Sequence, residues 1–299
     1  MGRTVTPGQP VLARIRATFD AAGVSGWLHA VDIDRASEVE LRADEPVVLA
    51  SVFKVPLVVA FFRAAEDGRL DPRAPVTVPL AERSGGPTGI AAMLDPVTIS
   101  LRDLAYLALT VSDNAAADVL ADHVGLDNVA ETLDALGLHR TRVPLLTRDV
   151  AALTREDLDE QRGLVTDPAA VSRLRVLDPL TSNRSTARDC TRLLALIWRD
   201  EAAGPASCGA IRRLLSLQVW PHRLASGFPF DDVSVAGKTG TLPTIRNEIG
   251  VVEYPDGGRY AVAVFTRSTS TALNLPRADA AIGLAARLAV EHLREQSSD

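Results

Sequence analysis

The stretch from Ser51 to Gly68, SVFKVPLVVAFFRAAEDG, restricts the possible folds more than any other part of the chain. It has helical character and is apolar on most of its faces, so it needs neighbours on nearly every side. A helix of that kind sits at the centre of a molecule, and the remaining segments must be able to wrap it. Pro56 is tolerable only near the first turns, which sets the helix start close to Ser51. Helical patterns around it fall at residues 8–22, Leu101–Leu109, Asp113–His123, Leu126–Leu136 (stopped by Gly137), Ala187–Trp198, Cys208–Leu217 and Arg277–Arg294. Strand-like runs fall at Gly26–Val31, Glu38–Arg42, Val233–Ala236, Glu248–Tyr254 and Arg259–Thr266. Asp34–Ser37 and the PDGG sequence supply turns. Residues 140–184, rich in charge and broken by Pro144, Pro168 and Pro179, read as a long surface loop with short helical turns.

This order of helix, strands, long helical middle, strands and helix predicts an α/β fold of the α+β kind. An antiparallel sheet is built from both ends of the chain and flanked by helices, with an all-α subdomain inserted between them. The expectation is one domain over residues 1–299. Its α/β part covers about 1–48 and 205–299, and its all-α part about 49–204. Internal repeats, low-complexity tracts and repeated βαβ units are absent from the sequence.

Composition narrows the function. With 46% hydrophobic and 23% charged residues the chain is globular, and a net charge of −6 disfavours nucleic acid as a partner. No run approaches the ~20 apolar residues that span a bilayer, so no membrane partner is expected. The first residues, MGRTVTPGQPVLARIRATFD, lack the apolar core and cleavage site of an export leader. The expectation is a cytosolic protein, or an exported one whose leader has been removed. Cys190 and Cys208 have no zinc-like spacing and read as core thiols. His29, His123, His139, His222 and His292 are scattered and read as packing or surface residues. Neither a metal nor another cofactor is called for, and the expected partner of a monomeric chain is a small molecule.

Of the 32 basic residues, only Lys54 and Lys238 are lysine. Arginine serves wherever a bare positive charge suffices, but only a desolvated lysine can give up its proton and act as a base. Both lysines lie in short patterns that carry chemistry. Ser51 and Lys54 are three apart at a helix start. They therefore share a face, near N–H groups and a positive dipole end that favour developing negative charge. Burying Lys54 lowers its pKa and makes it a base for Ser51. Ser112-Asp113-Asn114 opens an alanine-rich helix and, alone, reads as an N-cap. Gly237-Lys238-Thr239-Gly240-Thr241 ends a strand. A phosphate-binding loop of this ending needs Gly at 232, where Asp232 stands, and a helix afterwards, where TLPTIRNEIGVV follows.

Taken together and in this order, S-x-x-K, S-D-N and K-T-G resemble the class A serine β-lactamase and penicillin-binding protein superfamily. The Ser51-to-Ser112 spacing is also close to the class A pattern. The likeness extends through LTVSDNAAADVL, TARDCTRLL and KTGTLPTIRNEIGVVEYPDGGRYAVAVFTR, covering about residues 45–137 and 185–295. It implies the family's α/β sandwich with an all-α subdomain. It also implies Ser51 as the acylated nucleophile and Lys54 as its proton acceptor. Ser112 would pass a proton to the leaving nitrogen, and Asn114 would hold both the substrate amide and Lys54. Lys238, Thr239 and Thr241 would bind the substrate carboxylate, with Arg246 as a further charge. Gly240 lies within the same substrate-binding strand, and the N–H groups of Ser51 and Thr241 would form the oxyanion hole.

Two departures from the family pattern bear on activity. Aligning Leu136-Gly137 with the family's same dipeptide puts Thr147 where class A enzymes carry the glutamate that positions the deacylating water. No E-x-x-L-N pattern occurs between 140 and 185, and the segment from Ser112 to Lys238 is longer than usual. Asp149, Glu156, Asp157 and Glu160 are the carboxylates in this segment that a rebuilt loop could bring to the site. Residues 82–93, ERSGGPTGIAAM, lack the aromatic gate usual at the cleft mouth. The expected activity is therefore acylation by β-lactams or related amides and esters, with slow deacylation and a bearing on antibiotic resistance. The alternatives on the same scaffold are a D-alanyl-D-alanine peptidase or esterase, a cytosolic transacylase or self-protection protein, and a non-catalytic β-lactam sensor.

Overall fold

The structure is a computed structural model that describes residues 9–160 and 167–296. In chain order its elements are α1 (Gln9–Ala22), β1 (Val24–Asp32), β2 (Glu38–Leu41), β3 (Val47–Val48), α2 (Lys54–Glu66), β4 (Pro75–Val78), β5 (Val97–Ser100), α3 (Leu101–Thr110), α4 (Asn114–Val124) and α5 (Leu126–Ala135). These are followed by α6 (Thr147–Glu160), α7 (Pro168–Val171), β6 (Arg184–Ser185), α8 (Ala187–Trp198), α9 (Pro205–Ser216), β7 (Ser234–Leu242), β8 (Ile245–Glu253), β9 (Arg259–Ser268) and α10 (Pro276–Gln296).

The main sheet is antiparallel, ordered β2-β1-β9-β8-β7, and drawn from both ends of the chain as the element order predicts. Its two faces are separated by simple alternation. Along β9, Tyr260, Val262 and Val264 join the core under α1 and α10. Ala261, Ala263 and Phe265 point into the core shared with the helices on the other side. A strand buried on both faces reads as a continuous apolar run, and YAVAVF is one. β7 is an edge strand of this sheet, so one side of its backbone is free of strand pairing.

As its composition requires, α2 is enclosed. Lys54 and residues Val55 through Phe61 are all buried, against α3, α4, α5 and α9. Pro56 lies in its first turn, where it interrupts no helical hydrogen bond. Two regions depart from the sequence reading. Thr147–Glu160 is a full helix rather than loop; the loop reading arose from its high charge, and its apolar stripe is short. Residues 75–78 and 97–100 pair as a small two-stranded sheet, although β4 and β5 are too short to show a clear period of two. Cys190 and Cys208 are both buried free thiols, as their sequence context suggests. Among the described residues no helix is long and apolar enough to cross a membrane.

Candidate active site

Ser51 lies in a tight turn, Ala50–Phe53, that runs directly into α2 at Lys54. Ala50 is held at φ +48°, a left-handed conformation that costs an L-residue about 1–2 kcal/mol. Strain of that kind persists where the surroundings over-determine the backbone. Two contacts do so here. The Asn247 side chain donates from Nδ2 to the Val48 carbonyl at 2.8 Å, while its Oδ1 accepts from the Thr266 N–H, which pins the approach to Ser51 onto the sheet. Gly240 lies so close to this segment that a Cβ there would stand 2.6 Å from the Leu49 carbonyl oxygen. Only glycine lets β7 come this near, and the result is that Ser51 and Thr241 line one pocket.

Lys54 is completely buried and its ammonium is pulled down to about 7, chiefly by loss of water and against the opposing pull of Asp113 and Asp118. Its Nζ donates to the Ser112 carbonyl and to Asn114 Oδ1, both at 2.8 Å, and lies 3.5 Å from Ser112 Oγ. The S-D-N tripeptide is the N-terminal cap that it reads as in isolation, and two of its residues also line the cleft. Asp113 is the N-cap of α4, accepting from the Ala116 N–H at 3.1 Å and from the Ile90 N–H at 2.5 Å. Anchored by that cap, its two neighbours face the cleft. Ser112 takes a left-handed φ of +59°, and Asn114 donates from Nδ2 to the Gly85 carbonyl.

Lys238, on β7, is also completely buried. Its Nζ donates to Ser112 Oγ and to the Thr239 carbonyl, each at 2.9 Å. Burial holds its ammonium well below the usual lysine range, and the nearby charge of Lys54 lowers it further. The Ser112 hydroxyl thus stands between the only two lysines of the protein. A strand, β8, follows β7 where a phosphate-binding loop would need a helix. Thr239, Thr241 and Arg246 line the same cleft as Ser51, Ser112 and Asn114. The Arg246 guanidinium, however, is spent on the carbonyls of Leu242, Ile245 and Leu273.

Sequence reasoning missed the cation that reaches the K-T-G strand. Arg223, itself buried, donates to Thr241 Oγ1 at 2.8 Å, to the carbonyls of Gly240 and Asn247, and to Asp279 at 2.6 Å. It also missed Gln218, which accepts the Thr239 N–H at 2.6 Å on Oε1 and donates from Nε2 to Glu248. Glu248 is fully buried, and burial pushes its carboxyl up to about 7. It accepts the Leu224 N–H at 2.6 Å as well. Arg223 and Gln218 belong to no local pattern, and nothing in their sequence neighbourhood marks them.

On the other side of Ser51 lies a smaller pocket, bounded in part by Asn114, Thr147, Val150, Ser182 and Asn183. Among the described residues, none of the side chains lining it is a carboxylate. Thr147 stands at the first position of α6, and its hydroxyl is buried with no partner among the described residues. Asp118 fixes this helix start, accepting the N–H groups of Thr147 and Arg148 at 2.7 and 2.8 Å. Three carboxylates of α6 are engaged elsewhere. Asp149 accepts the Leu146 N–H at 2.8 Å, while Asp157 and Glu156 hold Arg175. Glu160 is exposed at the last position of the helix. Among the described residues no cluster of His, Cys, Asp and Glu is arranged to hold a metal.

A family model described as the beta-lactamase enzyme family matches residues 10–293. A curated relative, the beta-lactamase regulatory protein BlaB of Streptomyces cacaoi, is 28% identical; the match covers 96% of this chain and 98% of BlaB. Among solved structures, a beta-lactamase from Sphaerobacter thermophilus superposes with a TM-score of 0.78 at 24% identity, covering 96% of this chain and 97% of that one. The L158E mutant of PBP-A, solved as an acyl-enzyme complex with penicillin G, superposes with the same score at 20% identity, covering 98% of this chain and all of the other.

Proposed function

The chain belongs to the beta-lactamase enzyme family, and from that premise we propose that it is a serine acyl-transfer enzyme that takes β-lactams or related amides and esters onto Ser51 and releases them slowly. The observation that carries this reading is Lys54: a fully buried lysine with its ammonium lowered to about 7, three residues from a serine in a tight turn at a helix start. At neutral pH a large share of such a lysine is the free amine, and that is the form able to remove a hydroxyl proton. In the acylation step Ser51 Oγ forms a bond to the substrate carbonyl carbon and passes its proton to Lys54 Nζ. The charge on the carbonyl oxygen is met by the Ser51 and Thr241 N–H groups. When the carbon–nitrogen bond breaks, the leaving nitrogen takes a proton from Ser112 Oγ, which is resupplied through Lys54. Lys238 and the Thr239 and Thr241 hydroxyls, with Arg223 holding Thr241 from behind, form the end of the cleft suited to a substrate carboxylate.

Release needs a water and a base to take its proton, and Thr147 occupies the pocket where that base would act. A positioned general base contributes about 10²–10⁴ in rate, so the acyl-enzyme should be long-lived. Mixing with nitrocefin in a stopped-flow instrument should give a burst equal to the enzyme concentration, followed by a slow steady state. Intact mass should show one adduct, lost in Ser51→Ala. Labelling that survives Ser51→Ala would defeat the nucleophile assignment, and rapid linear turnover would defeat slow release. The relation to BlaB, a regulatory protein by name, favours a second reading, in which the long-lived adduct is itself the signal of a β-lactam sensor. In that case the adduct should persist for longer than a cell takes to respond, and turnover should be negligible.

A further inference from the structure

Residues 218–224 run along one side of the cleft and are tied down at both ends. At one end, the Gln218 side chain is fastened to Thr239 and Glu248, and the Val219 N–H donates to the Thr110 carbonyl at 3.1 Å, two residues before Ser112. At the other end Arg223 is fastened to β7, β8 and Asp279, and the Leu224 N–H donates to Glu248. Between these anchors stand Trp220 and His222, and both line the cleft with Ser51 and Ser112. Their rings meet edge to face, with centroids 6.3 Å apart, and Trp220 is half-buried. His222 is exposed, and partial loss of water together with the neighbouring Arg223 lowers its pKa, which favours its neutral form beside Trp220. Elsewhere the cleft is lined by Pro87, Thr88 and Val111 among others, and no other aromatic side chain lines it among the described residues.

We infer that Trp220 is a specificity-determining residue that selects acyl donors whose leaving half carries a flat, unsaturated or aromatic group next to its carboxylate. The inference rests on the acylation reading above. The carboxylate end of the cleft is defined by Lys238, Thr239, Thr241 and Arg223, and Ser112 marks the atom that departs. A group attached between those two points lies beside the 218–224 segment, where the half-buried Trp220 lines the cleft on a backbone anchored at both ends. Because the wall is anchored at both ends, little ordering is needed when a planar group lands on it. Aromatic contact of this kind is worth a rate or affinity difference of about threefold to tenfold.

The test uses two cephalosporins with the same acyl side chain, one bearing a conjugated aryl group at C3 and the other a methyl group. Their second-order acylation rate constants are measured by competition with a fluorescent penicillin, with intact mass confirming a single adduct. The wild-type protein should prefer the aryl compound by about threefold to tenfold. Trp220→Ala should bring the ratio of the two rates to about one by slowing the aryl compound more than the methyl compound, and Trp220→Phe should keep most of the preference. Equal rates for the two compounds in the wild type overturn the inference and leave the acylation reading standing. A Trp220→Ala protein that slows both compounds alike also overturns it, since that pattern marks a merely structural side chain. Absence of any adduct with either compound overturns the acylation reading and this inference with it.

Discussion

Two pockets meet at Ser51, and they are built differently. On the side of Lys54, Ser112 and Lys238 the polar groups are buried and closely interlocked, with the Ser112 hydroxyl 2.9 Å from one lysine and 3.5 Å from the other. On the side of α6 the lining is neutral, and the Thr147 hydroxyl has no partner among the described residues. Two desolvated lysines are costly to keep, and a fold retains them where they perform a task. Under the proposed acyl-transfer reading, the difference would separate the two halves of the cycle in space: one wall would hold what bond formation to Ser51 needs, and the other would lack what hydrolysis of that bond needs.

The largest effect expected from breaking the first pocket is that of Lys54→Arg. Arginine keeps the charge but cannot accept the Ser51 proton, so acylation by a fluorescent penicillin should fall about 10²–10⁴-fold, nearly as far as in Lys54→Ala. Lys238→Arg should mainly weaken substrate binding, because a fixed charge still attracts a carboxylate. Equal losses in the two arginine variants would show that base and anchor are not divided in this way.

A smaller gain tests the second pocket. Thr147→Glu places a carboxylate beside Ser51 and Asn114 without disturbing the backbone N–H that Asp118 holds. Release of the acyl group should quicken by about 10²-fold, read as a raised steady-state rate after an unchanged burst. An unchanged steady-state rate would mean that a missing base is not what limits release.

The pH profile sharpens the comparison further. Acylation needs the neutral amine of Lys54, and that form is lost as pH falls through about 7. The acylation rate constant should therefore drop about tenfold per pH unit below 7 and level off above it, followed by rapid mixing. A rate that keeps climbing towards pH 10 would show that Lys54 remains an ammonium in the folded protein. The smallest effect is expected at Asp149. Asp149→Ala removes the acceptor of the Leu146 N–H at the start of α6 and should cost about 1 kcal/mol of stability in a denaturant titration. It should leave the release rate unchanged, because the carboxylate is committed to the helix end and does not line the pocket. A fall in release would show that this carboxylate serves the water after all.

What the sequence determined by itself is what depends on near neighbours and on periodicity. The apolar faces of residues 51–68 dictate a buried central helix, and the three-position step from Ser51 to Lys54 places both on one side of its start. The alternation in β9 and the order of elements dictate a two-faced antiparallel sheet. The scarcity of lysine marks Lys54 and Lys238 before any contact is known, and each is then found at the Ser112 hydroxyl. Only the tertiary structure decided which distant groups complete these parts. Arg223 rather than Arg246 turns to Thr241, Asn247 pins the strained turn at Ala50, and Gln218 with Glu248 fastens the wall that carries Trp220. It also decided that Asp149 caps the start of α6 and that Glu156 and Asp157 hold Arg175, and none of the three lines the pocket beside Ser51. The physical reason is one of range: helical and strand periods relate residues a few positions apart, whereas a buried polar group is satisfied by whichever partner the packed chain brings within 3 Å.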